Sequence, residues 1–185
     1  EYHKNGDKVA GYGDWEKIDS KYHMDNFLYS SLNSGWFVGD ESKRYFIKAC
    51  VNRDRIEIFD NNTKKFTVID GPDTKLPKFD IVGPTNNSQL IFDSMNPYRY
   101  RDVSITNNYI YALYGGVGEK EFKETGILAR KIFVFTLEGK PIVTLNLDRS
   151  VRAISVDETV GKIFGVTTDK DPNIADFDIP DILKK

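Results

Sequence analysis

The feature that most constrains the fold of this sequence is a hairpin pattern that occurs more than once. Residues 131–148, KIFVFTLEGKPIVTLNLD, have the composition of two strands joined by a Glu-Gly turn. Residues 55–70, RIEIFDNNTKKFTVID, repeat the pattern with an Asn-rich turn, so that Ile56 aligns with Ile132. A shorter copy, NIADFDIP at 173–180, ends at a proline where its second strand would begin. The hairpin is therefore a repeated unit of the chain.

The segments that precede the hairpins also repeat. WFVGDESKRYFIKA (36–49) aligns with ISVDETVGKIFGVT (154–167), and VSITNNYIYALY (103–114) is a middle copy with a shorter turn. Each unit is therefore strand, tight turn, strand, loop, strand, tight turn, strand. Four antiparallel strands in roughly 40–50 residues have the size and composition of one β-propeller blade.

The strand IFVFTL is apolar on both faces, which indicates a sheet packed between two neighbouring sheets. We expect an all-β fold, a β-propeller fragment of about three to four four-stranded antiparallel blades. A β-sandwich is the alternative, but a sandwich does not require the same four-strand unit several times. The whole chain, 1–185, is predicted to be one domain with blades at 28–71, 97–148 and 149–180, and residues 1–27 are predicted to end a preceding blade.

No window of the sequence has a clear helical stripe, and residues 18–32 come nearest to one. The stretch GGVGEK at 115–120 does not have the Lys-Ser/Thr pair of a phosphate-binding loop. We expect the residues from Gly115 to Ile127 to form a long, solvated loop between the second and third strands of the middle blade.

Composition and charge exclude several classes of protein. The 185 residues are 39% hydrophobic and 29% charged, as in an ordinary globular domain, and their formal net charge is −2. Lys and Arg are spread along the chain, so we expect no basic face for nucleic acid. No apolar run approaches the roughly 18–20 residues of a transmembrane helix. The sequence begins with Glu1 and has no signal-peptide pattern, so we expect a processed or trimmed chain.

Cys50 is the one cysteine, and it cannot form an internal disulfide or a thiolate metal site. Its surroundings, YFIKACV, predict a small buried side chain on a strand. A catalytic cysteine would need a nearby histidine, and neither His3 nor His23 lies in a recognisable motif. The sequence predicts no catalytic residues and no cofactor.

Several stretches resemble a known family. NNYIYALYGG, followed by IFVFTLEGKPIVTLNLD and RAISVDETVGKIFGVTTDKDPNIADFDIP, resembles the TolB-like six-bladed propellers of Bacteroides-type bacteria. YGDWEK at 12–17 resembles the first segment of the same family, and the resemblance covers most of residues 8–180. It implies a propeller that is extracytoplasmic, either periplasmic or surface-associated as in exported lipoproteins, and mostly without an assigned activity.

The length of the chain differs from the family pattern. Six blades need roughly 250–300 residues, so 185 residues resemble the C-terminal portion of such a propeller. Either further blades or a second copy of the chain would complete the ring. The second possibility predicts a homodimer.

Two arginines align with each other in front of two inner strands. Arg101 falls on Arg152 when VSI (103–105) is aligned with the equivalent strand. Equivalent positions in adjacent blades lie near the same axis, so we hypothesise an anion site for carboxylate or phosphate. The alternative is that each arginine forms a structural ion pair with a local acid, Asp102 or Asp148.

Aromatic residues alternate with arginines in the same segment. Tyr98 and Tyr100 interleave with Arg99 and Arg101, a combination that suits the recognition of sugar or peptide. The alternative is that alternate members pack between blades and the others are solvated.

The loop TTDKDPNIADFD contains the first half of an EF-hand spacing, in Asp169, Asp171 and Asn173. Ile174 stands in place of the turn glycine, and no bidentate glutamate follows. These three residues are therefore a weak metal candidate, and an acidic hairpin loop is the plainer interpretation.

These observations favour a non-catalytic module that binds a carbohydrate, a peptide or a partner protein at one face of the propeller. The candidate ligand-binding residues are Tyr98, Arg99, Tyr100, Arg101 and Arg152. The alternative function is a metal-dependent hydrolase or lyase of the six-bladed type, which would need polar side chains that converge on an ion at the axis.

Overall fold

The computed structural model describes residues 1–18, 23–84 and 87–184. Their strands form antiparallel sheets, and the helices between them are short. The strands are β1 (Gly35–Gly39), β2 (Tyr45–Cys50), β3 (Arg55–Asp60), β4 (Lys65–Asp70), β5 (Phe79–Val82), β6 (Gln89–Phe92), β7 (Tyr98–Ile105), β8 (Tyr109–Val117), β9 (Lys131–Thr136), β10 (Pro141–Asn146), β11 (Val151–Asp157), β12 (Lys162–Thr167) and β13 (Ile174–Asp178). The helices are α1 (Asn26–Leu32), α2 (Glu119–Thr125) and a 3-10 turn (Asp181–Leu183).

Consecutive strands pair with each other in every sheet. The first sheet has the order β1-β2-β3-β4, the second is β7-β8-β9-β10, and the third is β11-β12-β13. A small sheet of β5 and β6 lies in the connection between the first and second sheets. The prediction of an all-β fold built from antiparallel meanders is confirmed; two of the large sheets have the expected four strands and the third has three. A sandwich would instead distribute the strands over two facing sheets.

The second sheet buries both of its faces, as the sequence of β9 predicted. Ile132 and Val134 belong to an apolar core shared with the third sheet. Phe133 and Phe135, one residue out of phase, pack into a second core shared with the first sheet. Each fully buried side chain of this size contributes about 1.5–3 kcal/mol, so these two cores hold the three sheets face to face.

The prediction that 115–127 is only a loop is wrong, because Glu119–Thr125 forms α2. Gly126 ends the helix in the left-handed conformation, with φ 70°, and Lys123 pairs with Glu119 one turn earlier at 2.6 Å. None of its residues is buried, so the helix has no apolar stripe by which the sequence could have revealed it.

Part of the weak helical signal at 18–32 corresponds to α1, and residues 19–22 of that window lie outside the described residues. The Asp25 carboxylate caps the helix by accepting a hydrogen bond from the Leu28 backbone N–H at 2.9 Å. Leu28 and Leu32, one turn apart, are buried against the β5–β6 hairpin.

The first strand of each large sheet lies on the same side of the structure. These inner strands are β1, β7 and β11, and β7 contacts both of the others. Because neighbouring strands are antiparallel, the start of each inner strand lies beside the loop that follows its partner strand. The loops 51–54, 118–130 and 168–173 therefore surround the starts of the inner strands. We call this surface the start face.

The outer face of the first sheet is partly covered by residues 8–18. The ring of Tyr12 lies 5.5 Å from that of Phe59, and Lys48 Nζ lies 4.8 Å from the ring of Trp15. Phe37 on the same face remains 69% exposed. Residues 1–18 themselves contain an isolated bridge between Tyr2 and Lys8 and no longer strand.

Cys50 is fully buried at the end of β2, with Sγ 3.6 Å from the carbonyl oxygen of Asn33. Burial raises the pKa of its thiol to about 11, so little thiolate exists at pH 8. We expect a thiol-specific disulfide reagent to leave Cys50 unlabelled in the folded protein at pH 8 and to label it completely in guanidinium chloride. A Cys50→Ala, Thr159→Cys variant, with its thiol on an exposed turn, should react at once without denaturant. Rapid labelling of the folded parent protein would contradict the burial.

Candidate anion site on the inner strands

Arg101 and Arg152 each occupy a β-bulge on an inner strand. Tyr100 and Asp102 pair with consecutive residues of β8, so Arg101 between them has no partner across the ladder. The residues on either side of Arg152 likewise pair with consecutive residues of β12. A bulge leaves one extra residue outside the ladder and redirects its side chain. The two arginines therefore share a backbone device as well as an aligned position.

The surroundings of Arg101 fix the position of its side chain. Its guanidinium lies over the ring of Tyr98, 4.6 Å from the ring centroid. Gly115 on β8 lies beneath it, where an added Cβ would come within 3.1 Å of Arg101 Cγ and 2.9 Å of the Tyr98 carbonyl oxygen. The glycine therefore leaves the space that the arginine stem fills.

Arg101 and Arg152 are close enough to repel each other. Burial is the main cause that lowers the pKa of the Arg101 guanidinium; the charge interaction with Tyr98 opposes it, and repulsion from Arg152 adds to it. Arg101 Nε is buried and has no hydrogen-bond partner among the described residues. The site therefore carries positive charge that nothing in the described chain compensates.

Within the described ranges, no carboxylate forms an ion pair with either arginine. The local acids that the sequence offered as partners have other positions. Asp102 accepts hydrogen bonds from two backbone N–H groups, those of Val103 at 2.9 Å and Ile154 at 2.8 Å. Asp148 is exposed at the end of the connection that leads to β11. The structure therefore does not have the ion pairs of the alternative interpretation.

Asp102 links the two inner strands that carry the arginines. Its carboxylate lies on β7 and binds the N–H of Ile154 on β11, a contact between neighbouring sheets. Burial raises the pKa of this carboxyl group, and its two backbone hydrogen bonds oppose the rise. A carboxylate whose two oxygens are both occupied by amides holds the strands together and leaves the arginine charges uncompensated.

The five candidate residues separate into two groups. Tyr98, Arg101 and Arg152 lie together at the starts of β7 and β11. Arg99 instead pairs with Asp73 and donates to the Tyr114 hydroxyl at 3.2 Å. Its charge is already compensated inside the protein, so nothing in its contacts favours a ligand.

Tyr100 is the candidate whose position least suits a binding role. It is 1% exposed in the core between the first and second sheets. Its hydroxyl donates a hydrogen bond to the carboxylate of Asp54 at 3.0 Å. This buried acid also accepts from the Asp73 backbone N–H at 3.1 Å. The pair is a structural link between sheets that the sequence did not indicate, because only the packing of the first sheet against the second brings Asp54 to Tyr100.

The weak metal candidate has no supporting geometry. Asp169 and Asp171 are exposed in the loop before β13, and Asn173 Oδ1 accepts a hydrogen bond from the Ile174 backbone N–H at 2.8 Å. Across residues 1–18, 23–84 and 87–184, no group of three or more His, Cys, Asp or Glu side chains could hold a metal ion. Asn173 therefore makes a local hydrogen bond in this loop, and the two aspartates belong to no such group.

Face-to-face meanders with their first strands on one side define a β-propeller, as the sequence predicted. The chain belongs to the TolB-like 6-blade propeller-like family, whose model matches residues 17–159. A comparison with curated proteins finds no match. None of the described helices is long and apolar enough to cross a membrane.

Solved structures with a similar chain path share little sequence with this protein. The Cps50 (Swd1) β-propeller domain of Myceliophteria thermophila is 9% identical, with a TM-score of 0.34, and the match covers 79% of this chain and 53% of that one. Kuenenia stuttgartiensis hydrazine synthase is 11% identical, with a TM-score of 0.30, and the match covers 80% of this chain and 55% of that one. The Neurospora crassa Pan2 WD40 domain is 12% identical, with a TM-score of 0.36, and the match covers 91% of this chain and 53% of that one. The matched region spans about half the length of each of these chains.

Replacing Asp102 tests the link between the inner strands. In an Asp102→Ala variant the nearly buried N–H of Ile154 loses its partner, which costs about 1–3 kcal/mol. We expect the free energy of unfolding, measured in urea, to fall by that amount. The exposed Asp148→Ala control should change it by less than about 0.5 kcal/mol. Equal effects of the two substitutions would show that the Asp102 contact does not join the strands.

Proposed function

We propose that this protein is a non-catalytic binding module, and that it holds an anionic group of a carbohydrate, peptide or partner protein at Arg101 and Arg152. The observation that carries the proposal is the pair of equivalent bulges, each with an arginine that no described acid neutralises. Structural arginines normally have a carboxylate or carbonyl partner, as Arg99 has in Asp73. An uncompensated pair therefore indicates a partner outside the chain.

The chemistry of the site supports an oxyanion as that partner. A guanidinium presents its donors in a planar fork that fits carboxylate and phosphate oxygens. The half-buried ring of Tyr98 holds Arg101 in place, so little side-chain freedom is lost on binding. The net charge of −2 also means that anions are not attracted to the protein as a whole.

The alternative of a metal-dependent hydrolase or lyase receives no specific support. Its ion would need converging carboxylates or histidines, and no such group occurs among the described residues. Binding is therefore the function that the geometry supports best.

We place this binding function outside the cytoplasm. The support is membership of the TolB-like family, which is typically periplasmic.

Oxyanions should stabilise the folded protein through the two arginines. A ligand that binds only the folded state at ten times its Kd adds about 1.4 kcal/mol to the free energy of unfolding. We expect acetate, sulfate or phosphate to raise the Tm above that in chloride at equal ionic strength. The part of the rise that exceeds the general stabilisation of proteins by sulfate and phosphate should disappear in an Arg101→Met, Arg152→Met variant, which keeps most of each side chain's apolar stem.

The matched control for this experiment is an Arg130→Met, Arg149→Met variant, which removes two exposed arginines near the same face. It should keep the full shift in Tm. If every anion shifts the Tm of both variants and of the parent protein equally, the arginine pair is not a binding site.

We also propose that a second copy of the chain completes the ring. Apolar side chains on the outer faces of the first and third sheets are exposed, with Phe37 at 69%, Phe66 at 43% and Ile174 at 61%. In a propeller each such face packs against a neighbouring blade, and the family has six blades. Two copies would supply six large sheets.

Light scattering after size exclusion tests this association. We expect a mass twice the 21.2 kDa of the chain. A Phe37→Asp substitution places a charge on the exposed outer face and should return the monomer mass. The Ile81→Asp control on the β5–β6 hairpin should leave the dimer intact. A monomer at all concentrations in the parent protein would contradict the proposal.

A further inference from the structure

The arginine pair has a charge that further restricts its ligand. Arg101 and Arg152 contribute two positive charges at neighbouring inner strands, and the described chain offers no counter-charge to either. A ligand with a single negative charge would neutralise only one of them and leave the other positive. The electrostatic demand of the site is therefore for two negative charges that both guanidiniums can reach.

The other charged groups near the site do not meet this demand. Glu119, which lies beside Tyr98, forms an ion pair with Lys123 on its own helix. The carboxylate of Asp102 is directed at the amides of β7 and β11. Neither of these two carboxylates therefore neutralises the guanidiniums of Arg101 and Arg152.

We propose that the site binds a phosphate monoester, whose dianionic head contacts Arg101 and Arg152 together; this inference rests on the binding function proposed above. A phosphate monoester carries close to two negative charges at neutral pH and has three strong acceptor oxygens around one centre. A carboxylate has the matching planar oxygens but only one charge. Because Arg101 and Arg152 stand at equivalent bulges of neighbouring inner strands, one compact dianion between those strands would face both guanidiniums.

Only part of Arg101 is available to such a ligand. Its Nε is buried, so the phosphate oxygens would reach the terminal nitrogens of the guanidinium. The Tyr98 ring holds the guanidinium of Arg101 from one side. Gly115 leaves the space in which the stem of Arg101 lies. Arg152 is exposed and can adjust to the bound head group. The site thus combines one arginine that is held by packing and one that is exposed.

Two ligands that differ by one charge test the inference directly. Methyl phosphate and methyl sulfate have the same shape and number of oxygens, but at pH 7.5 the first is largely a dianion and the second is a monoanion. We expect NMR titration of the backbone amides near Arg101 and Ile154 to give at least tenfold tighter binding of methyl phosphate at constant ionic strength. The Arg149→Met variant should behave in the same way.

Variants of the pair separate charge from geometry. Arg101→Met or Arg152→Met alone should bring the two affinities within about twofold, because one positive charge remains. Arg101→Lys with Arg152→Lys keeps both charges and should retain the preference for methyl phosphate at lower affinity. The dispersion of the amide spectrum shows in each case that the variant is folded.

The outcomes distinguish this inference from the function on which it rests. Equal binding of both ligands by the parent protein, lost on substitution of the arginines, would overturn the phosphate assignment and leave the anion site in place. Binding of neither ligand would overturn both. Tighter binding of glucose 6-phosphate or of phosphoserine than of methyl phosphate would support the inference and identify the larger molecule to which the phosphate belongs.

Discussion

The burial of both faces of the second sheet is the constraint on which the rest of the structure depends. One face packs against the first sheet through Ile47 and Ile58, and the other packs against the third through Val151 and Ile163. A sheet that is apolar on both sides has no stable arrangement except between two neighbours. This packing places β7 between β1 and β11, and it thereby brings the bulges of two separate sheets together.

Polar contacts adjust the arrangement that the apolar cores establish. The carboxylates of Asp54 and Asp102 each cross from one sheet to the next, the first to a tyrosine hydroxyl and the second to a backbone amide. Both are buried or half-buried, so each contact depends on its partner and fixes the relative positions of the sheets more strictly than side-chain packing alone. Arg101 and Arg152 lie near these contacts, but neither carboxylate pairs with them.

The sequence predicted the parts of the fold that repeat or that have a period. The aligned hairpins and the doubly apolar strand at Ile132 sufficed for the all-β arrangement, because packing requirements appear directly in such patterns. The strands Phe79–Val82 and Gln89–Phe92 were missed because they are four residues long and have no counterpart in the other units. The helix α2 depends on a local ion pair and a terminal glycine, which leave no apolar period.

For the site, alignment succeeded where alternation failed. Arg101 and Arg152 were matched because the bulge occurs at the same place in both strands, so that counting residues remained valid between them. Counting fails within β7, because a further register shift lies between Tyr98 and Tyr100, which pair with Val117 and Tyr114. Tyr98 and Tyr100 therefore do not share an environment, and the burial of Tyr100 could be found only from the register.

At a bulge, the residue that presents its side chain is not one of the residues whose backbone hydrogen bonds hold the strand in the sheet. A residue outside the ladder takes no part in the backbone pairing of the sheet, so its side chain can be exchanged without the loss of a ladder hydrogen bond. One such position on each of two inner strands, β7 and β11, gives the molecule two positions that can vary independently. Ligand preference in such a scaffold depends on which residues occupy the bulge positions. It can change in one blade at a time while the pairing of the strands stays the same.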